Sequence, residues 1–212
     1  MNITRRANFG VFLTSIMLIT AGPAFPNDWR NTDDAISMEL VGQVNNVDIS
    51  SFQFGYLNFI KGIDRTTIFS GTPQNETTAL FSFDNVTTTK QVIDNGPMRI
   101  IDRVGTSTIY LDAVPDGDFT NPASFANGTP ILAARLRHQV IVDTVTGSFT
   151  ATFALKVTST ESFMLGDRKF KLGKVGQNLR LTFIGHLNAT PPPAAHIAGF
   201  MVGGDLTRFG TD

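Results

Sequence analysis

Three histidines and a run of aspartates are the residues of this chain whose types and spacing could do chemistry. His138 lies in the stretch 131–143. There Leu132, Ala134, Leu136, Val140 and Val142 alternate with Arg135, Arg137, Gln139 and Asp143, so a period of two puts the imidazole on the apolar face. A histidine so placed is either a core residue whose N–H meets a carbonyl or hydroxyl, or a group that faces a ligand or acts as a base. Asp112, Asp116 and Asp118 fall in the irregular stretch 112–130. With His138, one of them could form an acid–base pair; together their oxygens could hold calcium. The spacing is not that of the twelve-residue calcium loop, no glutamate closes it, and Asp116-Gly117 is also an ordinary turn pair. His186 falls on the polar face of its strand, and His196 follows the prolines 191–193. No two histidines have the i, i+2 spacing of a strand-borne metal site, so no metal is assigned.

Other chemistries lack their residues. There is no cysteine, which excludes disulfides, thiol nucleophiles and cysteine-ligated metals. No serine sits in a Gly-x-Ser-x-Gly elbow, and neither Gly173 with Gly176 nor Gly203-Gly204 builds a phosphate loop, so no cofactor is expected. Asp102 with Arg103, and Arg135 and Arg137 with Asp143, read as solvated cross-strand charge pairs. Phe52, Phe54, Tyr56, Leu57, Phe59 and Ile60 put apolar groups on both faces of one strand. Phe54 and Tyr56, with His138 and Phe153, are therefore the expected lining of an apolar ligand cavity.

The elements that must position these groups are strands. Phe, Val, Ile, Thr and Gly are abundant, and no stretch past residue 25 keeps helical apolar spacing over three turns. Period-two alternation places strands at 36–44, 52–63, 78–83, 90–94, 98–104, 107–112, 131–143, 149–158, 163–165, 169–172, 178–187 and 196–206, with turns at Asp84-Asn85, Asn95-Gly96-Pro97 and Gly105. Short connections imply antiparallel neighbours. The two arms around Thr144–Gly147 would each span roughly 40 Å, which calls for a barrel or a strongly coiled sandwich. The expected fold is all-β, an antiparallel β-barrel or β-sandwich of roughly ten strands, mostly hairpin-connected.

Residues 1–24 read as a cleavable signal peptide: Arg5 and Arg6, the apolar run 9–20, then Ala21-Gly22-Pro23-Ala24 with the cut after Ala24. The arginine pair partly matches a twin-arginine signal. The chain is thus expected outside the cytoplasm, periplasmic or extracellular, in a bacterium. Residues 25–35, with Trp29, form a polar arm, and 36–212 a single antiparallel β domain. Of 17 basic and 18 acidic residues the mature part keeps 15 and 18, a net of −3, which gives nucleic acid no basic excess to neutralise. A lipid-spanning barrel is disfavoured by short strands such as 90–94, by too few Trp and Tyr for two girdles, and by the ending Phe209-Gly-Thr-Asp212.

These readings rank three functions. The first is a non-enzymatic binding protein for an apolar small molecule or a cell-surface component; the small-molecule version needs an internal pocket of about 300 Å³ or more. The second is a hydrolase- or isomerase-like enzyme using His138 with Asp116 or Asp118, which requires the 112–130 loop and His138 to meet at one end. The third is a structural or adhesive protein, which requires an exposed strand edge.

Overall fold

The computed structural model describes residues 36–204 and 206–209. The signal peptide, the arm at 25–35 and residues 210–212 lie outside the described residues. Eleven strands are present among them: β1 (Ile36–Val47), β2 (Ser50–Ile60), β3 (Phe81–Asn95), β4 (Met98–Leu111), β5 (Thr129–Asp143), β6 (Ser148–Thr160), β7 (Ser162–Leu165), β8 (Arg168–Leu172), β9 (Asn178–Leu187), β10 (Ala195–Val202) and β11 (Leu206–Arg208). Eight of them close an antiparallel barrel in the order β1-β10-β9-β6-β5-β4-β3-β2, and β11-β8-β7 form a small separate sheet. The choice between barrel and sandwich is settled as barrel.

The register fixes the barrel's width. Following paired residues once round, Val47–Ser50–Thr88–Val104–Arg137–Ala154–Arg180–Val202–Ile36, returns to β1 at a point 11 residues from the start (47 − 36). That stagger of ~36 Å over eight strand spacings of ~4.8 Å tilts the strands by about 43°. Eight strands at this tilt leave an interior that side chains can fill, or that can hold one small ligand.

Two expectations about strands are corrected. The four pieces 78–83, 90–94, 98–104 and 107–112 are two long strands, β3 and β4, paired along their length. Asp84-Asn85 is no turn, because both residues carry ladder pairs. Gly105 is no turn either: it sits mid-strand where a Cβ would run into the Val86 carbonyl and the Thr87 backbone. The true turns use the residues that suit them. Gly96 (φ 60°) follows Asn95, and Asp143 Oδ1 accepts from the N–H groups of Val145 and Thr146 before Gly147 (φ 75°). Since β3 and β4 are long, the argument from short strands against a lipid-spanning barrel falls away. No helix among the described residues is long and apolar enough to cross a membrane.

The two ends of the barrel differ. At one end, the turn end, lie the β1–β2, β3–β4 and β5–β6 turns; at the other, the loop end, lie the long connections 61–80, 112–128 and 161–177. Along the axis the core is dense with phenylalanine. Phe83 stacks on Phe183 at 5.9 Å, and Phe153 meets Phe183 edge-on at 5.4 Å. Glycines on neighbouring strands make room for these rings: a Cβ at Gly199 would strike Phe183, and one at Gly185 would strike Phe149. At the loop end, Phe163 of the small sheet meets Phe81 at 5.5 Å, and Phe170 and Leu172 join the same core. The small sheet thereby seals that end with apolar surface.

Candidate functional site

The turn end is not filled with apolar groups. From β1 to β5 the inward positions become polar: Asn46, Ser51, Gln53, Asn85, Thr87, Ser107, Arg103 and His138 occupy sites that alternation aims into the barrel. Four of them, Asn46, Gln53, Arg103 and His138, border a chamber of about 60 Å³, whose remaining wall is apolar and includes Val140, Ala151, Phe153 and Phe183. The exposed residues Asn46 and Leu187 rim its mouth.

His138 is 4% exposed and its ring stands edge-on to Phe153, with centroids 4.3 Å apart. Neither ring nitrogen has a hydrogen-bond partner among the described residues. Burial, and secondarily the Arg103 cation, lower its pKa from 6.5 to about 3, so the imidazole is neutral at pH 7. Arg103 pairs with His138 across β4–β5, and its Nε donates to Thr89 Oγ1 at 3.1 Å. Burial lowers the arginine from its usual value, but a guanidinium stays cationic in a protein. Gln53 donates through Nε2 to Ser51 Oγ at 2.7 Å, leaving its Oε1 without a donor. Asn85, 1% exposed, stands between Gln53 and Ser107 with neither amide atom paired. Buried polar atoms without partners are rare in folded proteins; among the described residues five of the eight belong to Gln53, Asn85 and His138, and the other three, on Asn45, Asn58 and Ser82, lie elsewhere.

The other expected site residues lie elsewhere. Phe54 and Tyr56 do not face the interior; their strand partners Gln43 and Val41 also point outward. The irregular bulge near Glu39 and Leu40 and the inward Ser51, Gln53 and Leu57 set that phase. Phe54 instead packs outside the wall against Phe125 (5.6 Å) and Phe119 (6.2 Å), and Tyr56 against Phe69 (6.2 Å). The 112–128 loop folds back over β2 and β3 as their cover. It is tied to the 61–80 connection through Asp112 N–H to the Leu80 carbonyl. Beneath it, Tyr110 OH donates to Asp84 Oδ1 at 3.0 Å, and burial raises the Asp84 pKa.

The pairing of His138 with a loop carboxylate is not assembled. His138 faces inward nine residues up β5 from the loop, ~30 Å along the strand, whereas the loop lies on the outer surface. The carboxylates serve their own turns: Asp112 Oδ1 accepts from Val114 N–H, Asp116 from Asn127 Nδ2, and Asp118 from Thr120. Among the described residues no three His, Cys, Asp or Glu side chains gather as metal ligands. His186 and His196 oppose each other on the outside of β9–β10, with Nδ1 of each engaged by Leu187 O and Asn188 Oδ1.

The charge pairs are also rearranged. Arg103 points inward while Asp102, outside, accepts from Gln139 Nε2. Asp143 is held by its turn, so Arg135 and Arg137 have no carboxylate from it. On the outer face Arg135 stands directly opposite Lys156, and Ala154 lies between Arg137 and Arg180. These four cations are exposed and have no ion-pair partner among the described residues. They flank two shallow adjoining grooves of about 330 and 630 Å³. Arg103, Gln53, Asn85 and the Arg135–Arg180 cluster are what residue spacing missed; unbroken alternation of Ile101, Arg103, Gly105, Ser107 and Ile109 was the signal for the first.

No protein family, no curated protein and no solved structure gives a match to this chain.

Proposed function

We propose that this is an exported, non-enzymatic binding protein whose outer basic face takes an acidic cell-surface polymer. One observation carries the reading: Arg135, Arg137, Lys156 and Arg180 are gathered on three adjacent strands with no ion-pair partner among the described residues, Asp102 being the one carboxylate that lines their grooves. Like charges placed directly across a strand pair destabilise it, as Arg135 and Lys156 must. A chain that is otherwise nearly neutral keeps this local excess, and a line of carboxylates laid along the grooves would relieve the repulsion. Guanidinium groups at several points favour a repeating carboxylate over a single small ion. The residues of the export signal support placing this face outside the cytoplasm.

The competing readings have less behind them. A chamber of about 60 Å³ is far below the roughly 300 Å³ that an apolar ligand of ordinary size needs. The proposed acid–base pair has its members on opposite sides of the wall. Among the described residues an adhesive role through a free strand edge finds only β7 and β11, four and three residues long, at the margins of the small sheet.

Alginate-coated beads test the proposal. The protein is expected to bind them at low ionic strength, to elute as salt shortens the screening length, and to ignore neutral dextran beads. Replacing Arg137 and Arg180 together by Ser should release it, with the fold retained because both side chains are solvent-exposed. Equal retention on alginate and dextran, or retention unaffected by the double substitution, would refute the reading.

A further inference from the structure

We infer that the chamber at the turn end binds a small oxyanion of the formate, acetate or bicarbonate class, held between the Arg103 guanidinium and the His138 ring. This does not depend on the outer face. Of the residues lining the chamber, Arg103 carries the only formal charge and no carboxylate is among them. A cation drawn partly out of water needs an anion or several hydrogen bonds, and among the described residues Arg103 has one bond, to Thr89. His138 offers a donor at one nitrogen and an acceptor at the other, both unanswered by protein. Gln53 adds a free acceptor oxygen, 97% of the residue being buried. Two unanswered groups more than nine-tenths buried, with an uncompensated cation beside them, describe a receptor rather than a packing fault.

Size and polarity narrow the ligand. The space equals about two water molecules at liquid density, enough for three or four heavy atoms. The Arg103 fork suits two coplanar oxygens, and the neutral imidazole can donate a further bond to one of them. An anion that also carries an O–H, as bicarbonate does, could in addition donate to Gln53 Oε1 or to the second ring nitrogen. The rest of the lining, including Phe153, Phe183 and Ala151, is apolar and would accept a methyl group but no second charge.

The experiment is a titration of the full mature chain with sodium formate, acetate and bicarbonate, chloride serving as the ionic-strength control. It is followed on the His138 ring and Arg103 Nε–H nuclear resonances. Saturable shifts of both signals by at least one of the three oxyanions are expected, with a melting temperature that rises with its concentration. Arg103→Met should weaken binding on the order of tenfold or more, as loss of a charge-assisted hydrogen bond does, and Arg103→Lys should retain part of it. Melting curves of both variants show whether each is folded. If Arg103→Met does not fold, the folded Arg103→Lys protein decides: unchanged affinity overturns the inference, reduced affinity supports it. No saturable shift at ~10 mM, well above a millimolar Kd, would overturn it. So would shifts that chloride reproduces, because screening alone would then explain them.

Discussion

His138→Leu converts the geometry of the chamber into a measurable pH dependence. The imidazole is neutral in the folded protein because its pKa falls from 6.5 to about 3, the larger cause being burial and the smaller the Arg103 cation. In the unfolded chain it titrates normally, so between these values the unfolded state binds the extra proton and stability falls as pH falls. Integrating that linkage from pH 7 to pH 4 gives a loss of ~3 kcal/mol from this one residue. Leucine has no proton to take up, so the variant should lack this loss. For a domain of this size the difference amounts to roughly 6–12 °C in melting temperature at pH 4. At pH 7 the variant should be at least as stable as the natural chain, since an unpaired buried polar group costs about 1–3 kcal/mol and an apolar replacement of similar size removes it. Other groups titrate too. Asp84, its pKa raised by burial, contributes stability at low pH that is lost as pH rises, but it does so equally in both proteins and cancels in the comparison. The assay is urea unfolding of both proteins at several pH values from 7 to 4. Parallel curves would show that His138 is not held neutral by burial, and the description of the chamber would fail.

Two further perturbations probe the outer cover. Phe125→Ala removes the ring that bridges Phe54 and Phe119, so stability should drop by about 3 kcal/mol and protease should cut within 112–128, where the natural chain resists. Tyr110→Phe deprives the half-buried Asp84 of its donor. Its pKa, read by carboxyl carbon resonances, should rise further, with about 1–2 kcal/mol lost at pH 7; an unchanged titration would mean the pair is not formed.

How much of this was legible in the residues follows from what alternation can report. In β5 and β6 every second residue except His138 is apolar over nine or more positions, so strand and inward face were readable, and His138 and Phe153 came out on the correct side. In β2 both faces are apolar, because a loop distant in sequence covers the outside; period two cannot say which face is the interior, and Phe54 and Tyr56 were assigned to the wrong one. In β3 and β4 the inward face is itself polar, with Asn85, Thr87, Arg103 and Ser107 in it. Polar residues beside Gly and Asn look like turns, so two long strands read as four short ones. Of these residues Arg103 also lines the chamber. The basic cluster escaped notice because Arg135, Arg137, Lys156 and Arg180 are scattered in sequence and meet only through the β5–β6–β9 register, which joins strands separated by the small sheet's hairpin.

All of these assignments of inside and outside depend on the ring being closed by β1 and β10, the pair farthest apart in the chain. Interstrand proton–proton contacts in nuclear magnetic resonance test that closure directly. Cross-peaks linking Gly42 with Ile197 and Leu40 with Gly199, together with slow amide exchange on both strands, are the expected result. Missing cross-peaks with fast exchange along β1 and β10 would mean an open sheet with two free edges, and neither a chamber nor a distinct outer face would remain.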